Sequence, residues 1–231
     1  MTDLLKAEFY KLMHSRSFWG MTLFSLILGS ILLLDSKPLV FGLFHASLYN
    51  TPLLYFLAIV FAALFVGEDF SEQTLPCYIS AGHKRSTVLF AKTIVYLASC
   101  VFLLVLPLLV HGLAGVIRNG ETRFITDILA EGAVILSAVL AMCMLPLFCA
   151  FVFRDIGRTL AVPMAIYFLM IFAMNSDHSK AFAAVLPMGQ LRLLALQEPA
   201  VPKTAFFCVD ALWIILLYTG AYVSFRRCDL K

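Results

Sequence analysis

The sequence predicts an all-α, polytopic membrane protein with six transmembrane helices. Three observations carry this. Hydrophobic residues make up 62% of the chain and charged residues 13%, against about a quarter charged in soluble domains. Residues 53–66 and 93–110 carry no charge at all. The length of 231 residues holds six spans of ~20 residues with their loops, in one transmembrane domain without a soluble catalytic unit.

Residues 1–17 begin with an amphipathic helix. Leu5, Phe9, Leu12 and Met13 recur at helical spacing, with Lys6, Lys11 and Arg16 on other faces. That pattern predicts a helix lying at the interface, its bases toward anionic lipid. A cleavable signal is not expected, because the lead is charged and the apolar segment begins late.

Span 1 covers 18–34 and is ended by Asp35, Lys37 and Pro38. Residues 39–52 read as a short outer connection. Span 2 covers 50–66, where Ala58, Ala62, Ala63 and Gly67 give the small-residue spacing that lets helices approach closely. Span 3 covers 88–116 and contains Pro107, so tilt or a kink is expected. Residues 117–127 form a polar loop. Span 4 covers 128–153, with Ala133, Ser137 and Ala141 as a second small-residue stripe. A tight turn at Arg154, Asp155, Gly157 and Arg158 leads to span 5, 160–174, and span 6 covers 204–225.

Two polar stretches interrupt this pattern. The first, 67–87, places Glu68, Asp69 and Glu72 early and Lys84 and Arg85 late, with Lys92 opening the next span. Acids first and bases last suit the dipole of a short helix. Ser71 or Thr74 is positioned to cap its start and Gly82 to end it. The second, 175–203, is half apolar. It reads as two short helices broken near Pro187 and Gly189, with Phe182 on the first, dipping back as a re-entrant hairpin.

Lys and Arg divide unevenly between the two sides. Lys6, Lys11, Arg16, Lys84, Arg85, Lys92, Arg154, Arg158, Arg226, Arg227 and Lys231 fall on one, eleven of seventeen. The positive-inside rule therefore places both termini and the 67–87 loop in the cytoplasm, in a multi-pass cell-membrane topology. Cys77 and Cys228 are then cytoplasmic.

Gly67, Glu68, Phe70, Thr74, Leu75, Lys84, Arg85, Ser86 and Lys92 together form a pattern that resembles the type-two permeases of ABC exporters. Gln73 replaces the usual glycine before Thr-Leu, and Pro76 is foreign to the pattern. Lys6, Glu8 and Lys11 are similar to the family's elbow helix. Pro187 matches its short hairpin after the fifth span. Phe225, Arg226 and Asp229 are similar to its basic close. The resemblance implies that 67–87 is a coupling helix docking on a separate ATPase subunit, which uses ATP and Mg while this chain holds no cofactor. It also implies a second permease copy or a sister subunit. On that reading Phe70, Leu75 and Tyr78 are apolar anchors for the ATPase. Glu68, Asp69 and Glu72 form the rim. The cargo would be amphipathic or hydrophobic, such as a peptide or drug.

Other chemistries find little purchase. The chain has no P-loop, H-E-x-x-H or G-x-S-x-G motif. None of its six cysteines forms a C-x-x-C pair, and most lie in apolar spans. His14 and His83 fall on one side and His45, His111 and His178 on the other, and no histidine pairs with an acid at ligand spacing. No metal site and no nucleic-acid partner are expected. Asp210 is the ionisable residue deepest in a span. It is either an intramembrane functional acid or a partner of Lys203, and Glu131 carries the same ambiguity. An ion-coupled transporter or channel is the alternative reading, and a membrane-embedded enzyme a weaker one. Spans 2 and 5 lack charge, the two halves show no repeat, and no polar catalytic cluster gathers at one depth.

Overall fold

The computed structural model describes residues 2–35, 42–119, 123–175, 179–197 and 202–227. Every regular element among them is helical. The order is α1 (Thr2–His14), α2 (Arg16–Asp35), α3 (Leu43–Ala62) with a π turn over Ala63–Gly67, α4 (Glu68–Ser71) and α5 (Thr74–Ser80). Then come α6 (Arg85–Asn119), α7 (Arg123–Phe153), α8 (Ile156–Met174), α9 (Ser179–Val185), α10 (Pro187–Ala195) and α11 (Lys203–Arg226). Six segments are long and apolar enough to cross a membrane: Arg16–Leu34, Leu43–Ser71, Arg85–Arg118, Asp127–Phe153, Ile156–Met174 and Lys203–Arg226.

The bundle has a clear centre. The apolar windows of α3 and α7 are 67% and 78% buried, those of α2, α8 and α11 only 17–22%. Tyr96 of α6 donates to the Ala58 carbonyl at 3.0 Å and Tyr55 of α3 to the Met142 carbonyl at 2.8 Å, so buried hydroxyls pin neighbouring helices by their backbones. Ala58 and Ala62 are wholly buried, as the spacing predicts. The stripe on α7 is shorter than expected, because Ala133 is exposed. The tight partner of α7 is instead α11, where a Cβ on Gly220 would stand 2.8 Å from the Phe148 ring.

Several boundaries move. Helix α3 begins at Leu43, so residues 43–52 are helix rather than connection, with Pro52 inside. Helix α6 begins at Arg85 and runs on to Asn119, and α7 begins at Arg123, which shortens the expected 117–127 loop. Polar residues occupy these ends, so hydropathy alone trims the helices too early. The 175–203 stretch does form two short helices. The break lies at Leu186, and Pro187 opens α10 at the first-turn position that suits it. Gly189 is required there, since a Cβ would overlap the Ala183 backbone of α9.

The ends of the bundle differ. Helices α1, α4 and α5, the Arg154 turn and the end of α11 gather at one, called here the loop end. Arg85 donates to the Phe225 and Arg226 carbonyls at 3.1 and 2.9 Å, and Arg154 to the Ser224 carbonyl at 3.2 Å. Two bases thus satisfy the C-terminal carbonyls of α11. Helices α9 and α10 gather at the other, the hairpin end, where Trp213 of α11 donates to the Val185 carbonyl at 3.1 Å. His178 and Cys228 lie outside the described residues.

Candidate functional site

At the loop end four charged side chains from three elements meet beneath α5. Glu8 comes from α1, where Leu4, Glu8 and Leu12 form the buried face. Of the Leu5, Phe9, Leu12 and Met13 stripe, Leu12 is buried and Leu5 packs at the edge of the core. Phe9, Tyr10 and Met13 are exposed, and the helix is rotated so that its acid points inward. Lys92 comes from α6 and is wholly buried although ionisable. Its Nζ lies 2.5 Å from Glu8 Oε2, pairs with Asp69 Oδ2, and sits 4.6 Å above the Phe65 ring. Asp69 follows the π turn and is equally buried. Its Oδ1 takes Lys11 Nζ at 2.5 Å and the Thr74 hydroxyl at 3.2 Å.

Two acids and two bases balance. The cost of removing these charges from water is met because each has an opposite charge in contact. The local backbone serves this geometry. A π turn inserts an extra residue into the helical register and is a recurrent feature of functional sites. Here it immediately precedes Glu68 and Asp69. Gln73, at φ 59, then breaks the chain between α4 and α5.

The environment shifts the titration of the groups nearest the surface. Burial lowers the Lys11 ammonium, but the hydrogen bond and charge of Asp69, with Glu8 and Glu68, outweigh it and hold Lys11 above its ordinary 10.5. The Tyr78 phenol is pushed up to about 12 by burial and by the negative charges of Glu8 and Asp69.

Helix α5 closes as expected. Gly82, at φ 93, follows the last turn, with Gly82 N–H on the Ile79 carbonyl at 3.0 Å and His83 N–H on the Tyr78 carbonyl at 3.2 Å. This is a Schellman closure, and glycine carries the left-handed residue without a Cβ penalty. The expected caps fail. The Thr74 hydroxyl goes to Asp69, and the Ser71 hydroxyl to the Gly67 carbonyl at 3.3 Å.

The anchor and rim assignments need correction. Leu75 has no exposed surface, and Phe70 packs edge-on against Phe151 and Phe225 at 5.6 and 6.2 Å. Asp69 is inside the cluster rather than on a rim. All three face the bundle, because the apolar side of so short a helix is consumed by the spans beneath it. Arg85 is turned to α11. Glu68 and Tyr78 are half-buried, and the exposed residues of the stretch include Glu72, Gln73, Cys77, Ser80 and Lys84.

At the hairpin end Asp210 is buried, and its Oδ2 lies 2.7 Å from the Ser137 hydroxyl of α7. Lys203 goes elsewhere, to Glu131 at 3.5 Å and the Ala130 carbonyl at 3.4 Å, so the expected Asp210–Lys203 pairing is not formed. Pro187 and Gly189 are buried and Phe182 is half exposed. The histidine reading also changes. His45 lies 4.0 Å from Asp127 and 3.2 Å from the Gln197 amide, a pairing that 82 residues of separation conceals. His111 bridges Ser30 and Ser47 at 3.1 and 3.0 Å. No group of three metal-ligating side chains occurs among the described residues.

Sequence reasoning passed over the pairings of Glu8, Lys11 and Lys92, and it missed Gln190. A lone lysine just inside the predicted span 88–116 was the available signal, since such a charge needs a partner. No family model matches the chain, and no curated protein matches it either.

Proposed function

We propose that the chain is the membrane-spanning permease subunit of an ATP-driven exporter, working as a pair of permease chains with separate ATPase subunits. The observation that carries this reading is the charge cluster. It clamps α1, the end of the α3 segment and α6 to one another beneath a short helix whose outer face is free. A helix fixed in this way transmits a push to two spans at once, whereas a hinged loop would absorb it. The excess of Lys and Arg at the loop end supports a cytoplasmic position for that face. A partner then meets Glu72, Gln73, Cys77, Ser80 and Lys84 rather than Phe70 and Leu75. The peripheral, apolar surfaces of α2, α8 and α11 are available to lipid, to a second permease chain and to an amphipathic or hydrophobic cargo.

Cys77 supplies the test. A thiol cross-linker on Cys77 in native membranes should join the chain to a subunit that hydrolyses ATP, and Cys77→Ser should abolish the product. Glu72→Lys with Lys84→Glu should lower cargo-stimulated hydrolysis at least tenfold while leaving thermal stability unchanged. If neither change alters hydrolysis and Cys77 labels from outside intact cells, the reading is wrong.

A further inference from the structure

We propose that Asp210 is a proton-binding site, and that its neutral carboxyl seats the re-entrant helix α10, through Gln190, against α7 and α11. The inference is independent of what drives transport.

The hydrogen bonds carry it. Ser137 Oγ lies 2.9 Å from the Val134 carbonyl oxygen and 2.7 Å from Asp210 Oδ2. A serine hydroxyl has one hydrogen to donate, and here it meets two acceptors if Asp210 is ionised. A proton on Oδ2 resolves the conflict. The carboxyl O–H donates to Ser137 Oγ, and the Ser137 O–H donates to the Val134 carbonyl in the back-bonding pattern common for helical serines. Each hydrogen then has one acceptor.

The second observation is that these wholly buried groups have no cation in contact among the described residues. Asp210 and Gln190 each expose none of their surface, and Asp210 Oδ1 and Gln190 Oε1 have no hydrogen-bond partner. Gln190 is the other side chain that interacts with the carboxyl. Its amide is otherwise held by a long contact of 3.5 Å to the Ala184 carbonyl. An ionised carboxylate here would have no cation in contact, at a depth where unpaired charge is expensive. Oδ1 can accept from the Gln190 amide in either state, and only the neutral carboxyl does so without an uncompensated charge.

The charged and titratable groups on the helices packed against this site are engaged elsewhere. On α7, Asp127 lies 4.0 Å from His45, Glu131 pairs with Lys203 of α11, and Cys143 interacts with Cys100. On α10, Arg192 donates to Asn175 at 3.0 Å and stacks over Tyr49. On α6, His111 is held by two serines, Arg118 is exposed, and Lys92 and Arg85 sit at the loop end. The side chains of α9 ahead of Phe182 lie outside the description.

Carbon-13 NMR of the full chain, labelled at aspartate carboxyls and at α10 amides and reconstituted in liposomes, tests both halves. One aspartate carboxyl signal should stand in the protonated range at pH 7 and vanish in Asp210→Asn. On raising the pH that signal should move to the ionised range. The Leu191 and Leu193 signals should move with it in the wild type and stay fixed in Asp210→Asn. Should that variant not accumulate, Ser137→Ala provides the assignment, because it must shift the same carboxyl signal. Ionised aspartates throughout at pH 7 would overturn the proposal. So would a carboxyl signal that responds to sodium in place of choline, which marks a sodium site instead, or a titration that leaves the α10 signals unmoved.

Discussion

The two ends of the bundle bury acidic side chains by different means. At the loop end Asp69 and Glu8 share Lys92, and Asp69 also holds Lys11. At the hairpin end Asp210 meets a serine and an amide but no cation. Buried charge is neutralised either by a partner or by a proton. A partner must come from another element, so the first solution locks elements together. A proton comes and goes with pH, so the second leaves α10 adjustable. A brace suits the end that would receive a push, and a titratable seat suits the end that would open.

Removing the shared cation should break the brace with the largest effect. Lys92→Met leaves Glu8 buried without a cation and Asp69 with Lys11 alone, and should lower stability by about 3–5 kcal/mol. Adding Glu8→Gln and Asp69→Asn to Lys92→Met should recover most of it. Thermal unfolding in lipid or detergent measures both, and a Lys92→Met protein of unchanged stability would remove the cluster from the account.

Leu75→Ala should cost about 2–5 kcal/mol, as a truncation in a packed site does, while Glu72→Ala on the exposed face should stay within about 0.5 kcal/mol. Equal effects of the two would return Leu75 to the surface.

The comparison is sharpest between two identical changes. Asp69→Asn breaks contacts with two cations. Asp210→Asn replaces a neutral carboxyl with a neutral amide. The first should destabilise by several kcal/mol and the second by about 1 kcal/mol or less, within the worth of a single hydrogen bond. Comparable losses would mean that both acids are ionised.

The loop end should also weaken in alkali. Lys11 titrates above its ordinary value, so its contribution is intact below that value and lost as pH rises through the folded one. Tyr78, raised from 10.0 to about 12, loses stability over the same direction, because the unfolded phenol ionises first. Melting temperature should fall between pH 10 and about 12, and Tyr78→Phe should flatten part of that fall. The smallest effect is at the α5 closure, where Gly82→Ala should cost about 1 kcal/mol for a left-handed residue.

Much of this protein was determined by its sequence alone. Apolar runs set six spans, since a helix is the simplest way to satisfy backbone groups in a bilayer. Pro187 and Gly189 marked the hairpin, and Gly82 the end of α5, because those residues permit or forbid specific backbone angles whatever surrounds them. Facing was decided elsewhere. Periodicity gave α1 its apolar stripe but not the partner of Glu8, which lies on another helix. Phe70 and Leu75 read as free because hydropathy does not reveal which face the neighbouring spans consume. Lys92 met Glu8 across 84 residues, and Asp210 met Ser137 across 73. Pairing between charges depends on distances of a few ångströms, and only the packing of distant helices sets those.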